Sequence, residues 1–137
     1  MPRVLGLDLG SRRIGVAISS GTVATPHTVL ERSKHRAADH AAIAKLVEEL
    51  EAERVVVGLP LSLDGKMGPA ATAAAEEAGA LGEVVGVPVE TYDERLTTVT
   101  ADRSLSSLGL RGHARRRVVD KVAAAVILQD WLDRSSS

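Results

Sequence analysis

"VLGLDLGSRRIGVAIS", Val4–Ser19, is two runs of aliphatic residues parted by Gly10-Ser11-Arg12, with one acid, Asp8, set inside the first. The pattern predicts two short strands joined by a tight turn. Side chains alternate along a strand, so Leu5, Leu7 and Leu9 face one way and Val4, Gly6 and Asp8 the other. On the second strand Ile14, Val16 and Ile18 share a face, and Gly15, Ala17 and Ser19 leave the opposite one bare of bulk. Asp8 thus sits among small residues, which leaves room for something to approach it. Taken alone, an Asp before Gly is also explained as a strand-end residue bonding its own turn.

Working outward, Val23 to Glu31 reads as a third extended run, completing an antiparallel meander. From about His35 to Glu51, Ala41, Ile43, Ala44, Leu46, Val47 and Leu50 recur at helical spacing, with Lys45, Glu48, Glu49 and Glu51 opposite them. "RVVVGLP", Arg54 to Pro60, is an apolar run closed by Gly and Pro, the pattern of a strand buried on both faces. Pro69 to Leu81 is Ala-rich and helical, Val87 to Glu94 is a fifth strand, Leu96 to Leu108 reads as helix, and a last helix runs from about Ala114 to Leu132. The order β-β-β-α-β-α-β-α-α predicts an α/β fold: a mixed five-stranded sheet, three antiparallel strands then two parallel, flanked by helices. Residues 1–134 are expected to form a single domain, and Ser135, Ser136 and Ser137 a frayed tail.

Two further acids bear on Asp8. In "TYDERLTT", Asp93 and Glu94 fall where the fifth strand should end; helix capping accounts for Asp93 or Thr97 better than for Glu94. In the last helix Asp120, Ala124, Ile127, Leu128 and Trp131 lie on one stripe, so an acid leads an apolar face. A lone buried carboxylate is costly unless it is paired or binds a metal, and Arg116 or Lys121 could supply a local partner. Asp8, Glu94 and Asp120 together can converge at one edge of the sheet. Carboxylates so placed repel unless a cation neutralises them, and oxygen-only ligands favour Mg²⁺ or Mn²⁺. Two such ions are how many nucleases activate water and stabilise the leaving oxygen of a phosphodiester.

Each acid has arginine close by in sequence: Arg12 and Arg13 after Asp8, Arg95 after Glu94, and Arg115, Arg116 and Arg117 before Asp120, with Lys121 beside it. The guanidinium fork suits phosphate, so these are candidate nucleic-acid contacts, although each cluster alone also fits a solvated or carboxylate-paired surface. His27, His35, His40 and His113 show no metal-ligand spacing. "GLPLSLDG" reads as a strand end and turn, and as a candidate substrate-lining loop at the same edge.

The segments "GLDLGSRRIGVAIS", "VVGLPLSLDG", "YDERLTT" and "DKVAAAVILQDWL", in this order and spanning nearly the whole chain, resemble the YqgF (RuvX) family of Holliday junction resolvases and pre-16S ribosomal RNA nucleases. The resemblance implies a ribonuclease H-like fold and metal-dependent phosphodiester hydrolysis, with Asp8, Glu94 and Asp120 as catalytic and metal-binding carboxylates. It also implies a nucleic-acid partner, precursor rRNA or branched DNA. Symmetric junction resolution would favour a homodimer, whereas trimming one RNA end needs only a monomer.

The remaining composition narrows the alternatives. The chain has 137 residues, one Trp, one Tyr, no Phe and no Cys. This excludes thiol chemistry and weakens base stacking as a binding mode. A formal charge of −1 provides no overall basic field. No run is apolar and long enough to suggest a membrane, and a cytoplasmic location is expected. The "GLDLG" opening also resembles the phosphate-binding start of actin-like ATPases and sugar kinases, but those enclose a nucleotide between two domains. A non-catalytic nucleic-acid-binding module on the same fold is the other alternative, although clustered negative charge brings such a binder no benefit.

Overall fold

A computed structural model describes residues 2–61, 64–94 and 112–135, with the side chains of 112–118 outside that description. The strands are β1 (Arg3–Leu9), β2 (Arg13–Ser20), β3 (Val23–Glu31), β4 (Ala52–Leu59) and β5 (Val89–Asp93), and the helices α1 (Arg36–Glu49), α2 (Pro69–Gly82) and α3 (Gly112–Ser135). They form a five-stranded sheet in the order β3-β2-β1-β4-β5. The β1–β2 and β2–β3 pairs are antiparallel, and β1–β4 and β4–β5 are parallel. This is the mixed sheet that the order of elements predicts.

Alternation along the strands divides the core in two. Leu5, Leu7, Ile14, Val16, Val55 and Val57 pack against Ile43 and Val47 of α1 and Ala78 and Leu81 of α2. Val4, Ala17 and Val56 face the other way, onto Ala124, Ala125, Ile127 and Leu128 of α3. The valines of β4 are consequently buried on both sides, as their unbroken apolar run requires.

Several expectations shift at their edges. Strand β5 starts at Val89 rather than Val87, because Pro88 has no N–H to give a ladder, though its carbonyl accepts from Val55 N at 2.9 Å. In α1, Ala41 is exposed and the buried stripe begins instead with Asp39 and His40, two polar residues with hydrogen-bonding partners. The expected helix from Leu96 to Leu108 lies outside the described residues. Helix α3 extends to Ser135, the first residue of the expected tail, while residues 136 and 137 are outside the description.

Two smaller features fix the strands. A register shift between Arg3 and Val4 of β1 accompanies a bond from Val4 N–H to Ser19 Oγ, 2.8 Å away and buried. At the outer edge, β3 bulges between its pairings Val16↔Thr28 and Ala17↔Pro26. Among the described residues no helix is long and apolar enough to cross a membrane.

Candidate active site

Asp8 stands near the carboxyl end of β1, directly opposite Gly15 on β2. On its other flank, one step beyond the β1–β4 pairing Leu7↔Val57, lies Gly58. The acid is therefore bordered by a glycine on each side. A Cβ built on Gly15 would stand 1.9 Å from the backbone oxygen of Asp120, so α3 lies directly on the backbone of β2 there. A Cβ on Gly58 would stand 2.5 Å from Glu94 Oε2 and 2.5 Å from Ile127 Cδ1. Asp120 thus comes in over one glycine and Glu94 over the other.

The space beside Asp8 is accordingly not an open approach. Gly6 meets Leu128 in the same way, its notional Cβ 2.8 Å from that side chain's Cβ, so the face left bare by Gly6, Gly15 and Ala17 is filled by α3. The small residues admit a helix, and the helix brings the acid with it.

Burial and mutual repulsion leave their mark on these groups. The Asp8 carboxyl is pushed up to about 6, first by burial and then by the charge of Asp120. That of Glu94 is pushed up to about 7 by burial and then by the charges of Asp8 and Asp93. Glu94 follows β5 with its N–H 3.3 Å from Leu59 O, and its Oε2 is buried. Asp8 is the acid common to both couplings. Among the described residues the carboxylates do not close into a three-ligand cage; they stand pairwise about Asp8. Buried oxygen donors that repel one another are a fitting set for hard divalent cations shared between neighbours.

The basic residues divide. Arg13 Nε donates to Asp120 Oδ2 at 2.6 Å, both side chains being less than a fifth exposed. Among the described side chains, the leading acid on the α3 stripe is thus paired across the fold, by an arginine from β2. Arg12 is exposed in the β1–β2 turn and Lys121 is half-buried next to Asp120. The backbone places Arg115, Arg116 and Arg117 in the helical turns just before Asp120, with their side chains outside the description, and Arg95 lies outside the described residues altogether. Asp93 closes β5 opposite Leu59, where its charge helps raise Glu94. Sequence reasoning missed the part played by Gly58, whose only signal was a glycine at the end of a buried strand. It also missed a buried trio, Arg32, His40 and Glu77, whose members lie far apart in the chain.

Comparison with known proteins agrees with this architecture. The chain is 48% identical over 135 residues to a protein of Mycobacterium sp. (strain KMS) named "Putative pre-16S rRNA nuclease", covering 96% of this chain and 80% of that one. A protein of Anaeromyxobacter dehalogenans with the same name is 47% identical, over 96% of this chain and 97% of its own. Among solved structures, Thermus thermophilus RuvC in complex with a Holliday junction substrate superposes with a TM-score of 0.64 at 16% identity. It covers 99% of this chain and 96% of RuvC, a likeness that establishes the RuvC-type, ribonuclease H-like fold. The model of the RuvX family, described as Holliday junction resolvase, matches residues 2–134, and the chain belongs to that family.

Proposed function

We propose that this protein is a divalent-metal-dependent nuclease that hydrolyses phosphodiester bonds, with Asp8, Glu94 and Asp120 as its catalytic and metal-holding carboxylates. The observation that carries the reading is the row Gly15–Asp8–Gly58, over whose glycines Asp120 and Glu94 reach the two sides of one acid. Three elements distant in sequence deliver these carboxylates to one edge, at a cost in burial and repulsion that a purely structural role does not repay.

Asp8, coupled in charge to both other acids, would be the central residue holding a cation. Glu94 and Asp120 complete the donor set, and all-oxygen donors select Mg²⁺ or Mn²⁺ over zinc. When bound, such a cation supplies Lewis acidity toward water and toward the phosphodiester oxygens. Arg13 holds the Asp120 carboxylate in place. Arg12, Arg95, Arg115, Arg116, Arg117 and Lys121 are proposed to position the sugar-phosphate backbone, which orients a substrate without reading its sequence. The relatives' names and the family description point to precursor 16S rRNA or a branched DNA junction as the substrate. We take residues 1–134 as one catalytic domain, acting as a monomer on an RNA end or as a homodimer on a symmetric junction.

The test is cleavage of a precursor rRNA fragment and of a four-way DNA junction with Mg²⁺ or Mn²⁺, comparing wild type with Asp8→Asn, Glu94→Gln and Asp120→Asn. Each variant is expected to lose more than about 100-fold in rate, beyond the ~10–100-fold typical of groups one shell removed from a metal. Variants that cut as well as wild type would show the acids to be dispensable for cleavage, and a wild type that cuts neither substrate would favour a binding module.

A further inference from the structure

The turn that separates Asp8 from Arg13 is gripped from behind by one residue. Arg32, just beyond β3, donates its backbone N–H to Arg12 O at 2.9 Å and its Nε to Gly10 O at 2.7 Å. It therefore holds the turn at both ends. Its two terminal nitrogens donate to Oε2 and Oε1 of Glu77 in α2, each at 2.8 Å. Glu77 Oε2 is also 2.8 Å from His40 Nε2 in α1. The side chains of Arg32, Glu77 and His40 are only 15%, 10% and 4% exposed. Burial alone would raise the Glu77 carboxyl, but the hydrogen bonds from Arg32 and His40 outweigh it and hold the group below the usual range.

A buried ion pair is a poor way to gain stability, since apolar residues of the same volume do as well or better. What a bidentate pair does provide is direction, because the guanidinium plane is fixed by the carboxylate it faces. Behind the turn is a cavity of about 310 Å³ bordered by Leu9, Gly10, Ser11, Arg32, Pro60 and Glu77, among others. Along this cavity the Arg32 side chain reaches from the turn to Glu77 as a strut. The turn in question joins the central acid of the site to the arginine that bonds Asp120.

We propose that Arg32, oriented by Glu77 and His40, is a positioning residue for phosphodiester hydrolysis: it fixes the turn Gly10–Arg12 and thereby the placement of Asp8 relative to the Arg13–Asp120 pair. The proposal rests on the nuclease reading for its reaction, but the strut itself is measurable without turnover. The experiment compares Arg32→Gln and Arg32→Lys with wild type and with Val47→Ala, a core truncation in α1 that lowers stability without touching the turn. Three quantities are read: hydrogen exchange of the amides of residues 10–13 in metal-free protein, Mn²⁺ affinity without nucleic acid, and kcat and KM at saturating Mn²⁺.

For Arg32→Gln the turn amides are expected to exchange more than about 10-fold faster than in wild type while core strands keep their protection. Mn²⁺ affinity and kcat each fall by roughly 10–100-fold, and KM for the nucleic acid stays within about 2-fold. Arg32→Lys, which keeps one donor but loses the fork, falls between. Val47→Ala lowers the Tm and moves none of the three. Should Arg32→Gln not fold, Arg32→Lys carries the same comparisons. Wild-type exchange at the turn together with wild-type Mn²⁺ affinity in the Arg32 variants, or equal losses in Val47→Ala, overturns the proposal. A wild type that cuts neither substrate overturns the nuclease reading instead, and the exchange and Mn²⁺ measurements still decide the strut.

Discussion

At Gly15 and Gly58 the absence of a single Cβ sets how closely the acids can gather, and the two positions are expected to respond differently to the same substitution. In Gly15→Ala the new methyl meets backbone, the Asp120 carbonyl at 1.9 Å, so the whole of α3 must lift from β2. A destabilisation at or above the ~1–3 kcal/mol of ordinary overpacking is expected, together with loss of cleavage. In Gly58→Ala the methyl meets the far ends of Glu94 and Ile127, which can swing aside. The expected outcome is a smaller fall in stability with a comparable loss of activity. Paired denaturation and cleavage measurements check this; a Gly58→Ala variant of wild-type rate would show that Glu94 does not act from where it stands.

Individual elements differed in how far the sequence disclosed them. Strands β1, β2 and β4 were legible because alternation and an unbroken Val run each admit one burial pattern, and the Asp120 stripe of α3 was legible from helical spacing. The convergence of the acids could be anticipated from strand ends and a helix start. What could not be read is anything made by residues meeting across the fold. Asp120 is bonded by Arg13, more than a hundred residues away, and the Arg32–Glu77–His40 trio carries no periodic signature. Ser19 is another such case. Its hydroxyl accepts from Val4 N–H in a buried setting, beside the register shift in β1. Ser19→Ala strands that donor and is expected to cost about 1–3 kcal/mol, measurable by urea unfolding, with cleavage unchanged in the folded protein.

For the molecule as a whole, the raised carboxyls couple folding to pH and to metal. With Asp8 at about 6 and Glu94 at about 7, the metal-free folded protein binds these protons more tightly than the unfolded chain does. Their contribution is complete below the ordinary carboxylate range and is lost as pH rises through 6 and 7. Glu77 acts in the opposite sense, its contribution present above the ordinary range and lost as pH falls through its lowered value. The rise in Tm on adding Mn²⁺ is therefore expected to be largest near pH 8 and to shrink toward pH 5, where protons already occupy the site. A gain independent of pH would place the cation elsewhere. The bulge at Pro26 in β3 bears on assembly. A proline offers no N–H to a neighbouring strand, and a bulge bends the edge away from one, so this margin of the sheet is a poor template for another copy. In concentrated solution the protein is protected on that flank from strand-by-strand stacking. A homodimer built by strand pairing would therefore have to use the opposite edge, β5, rather than this one.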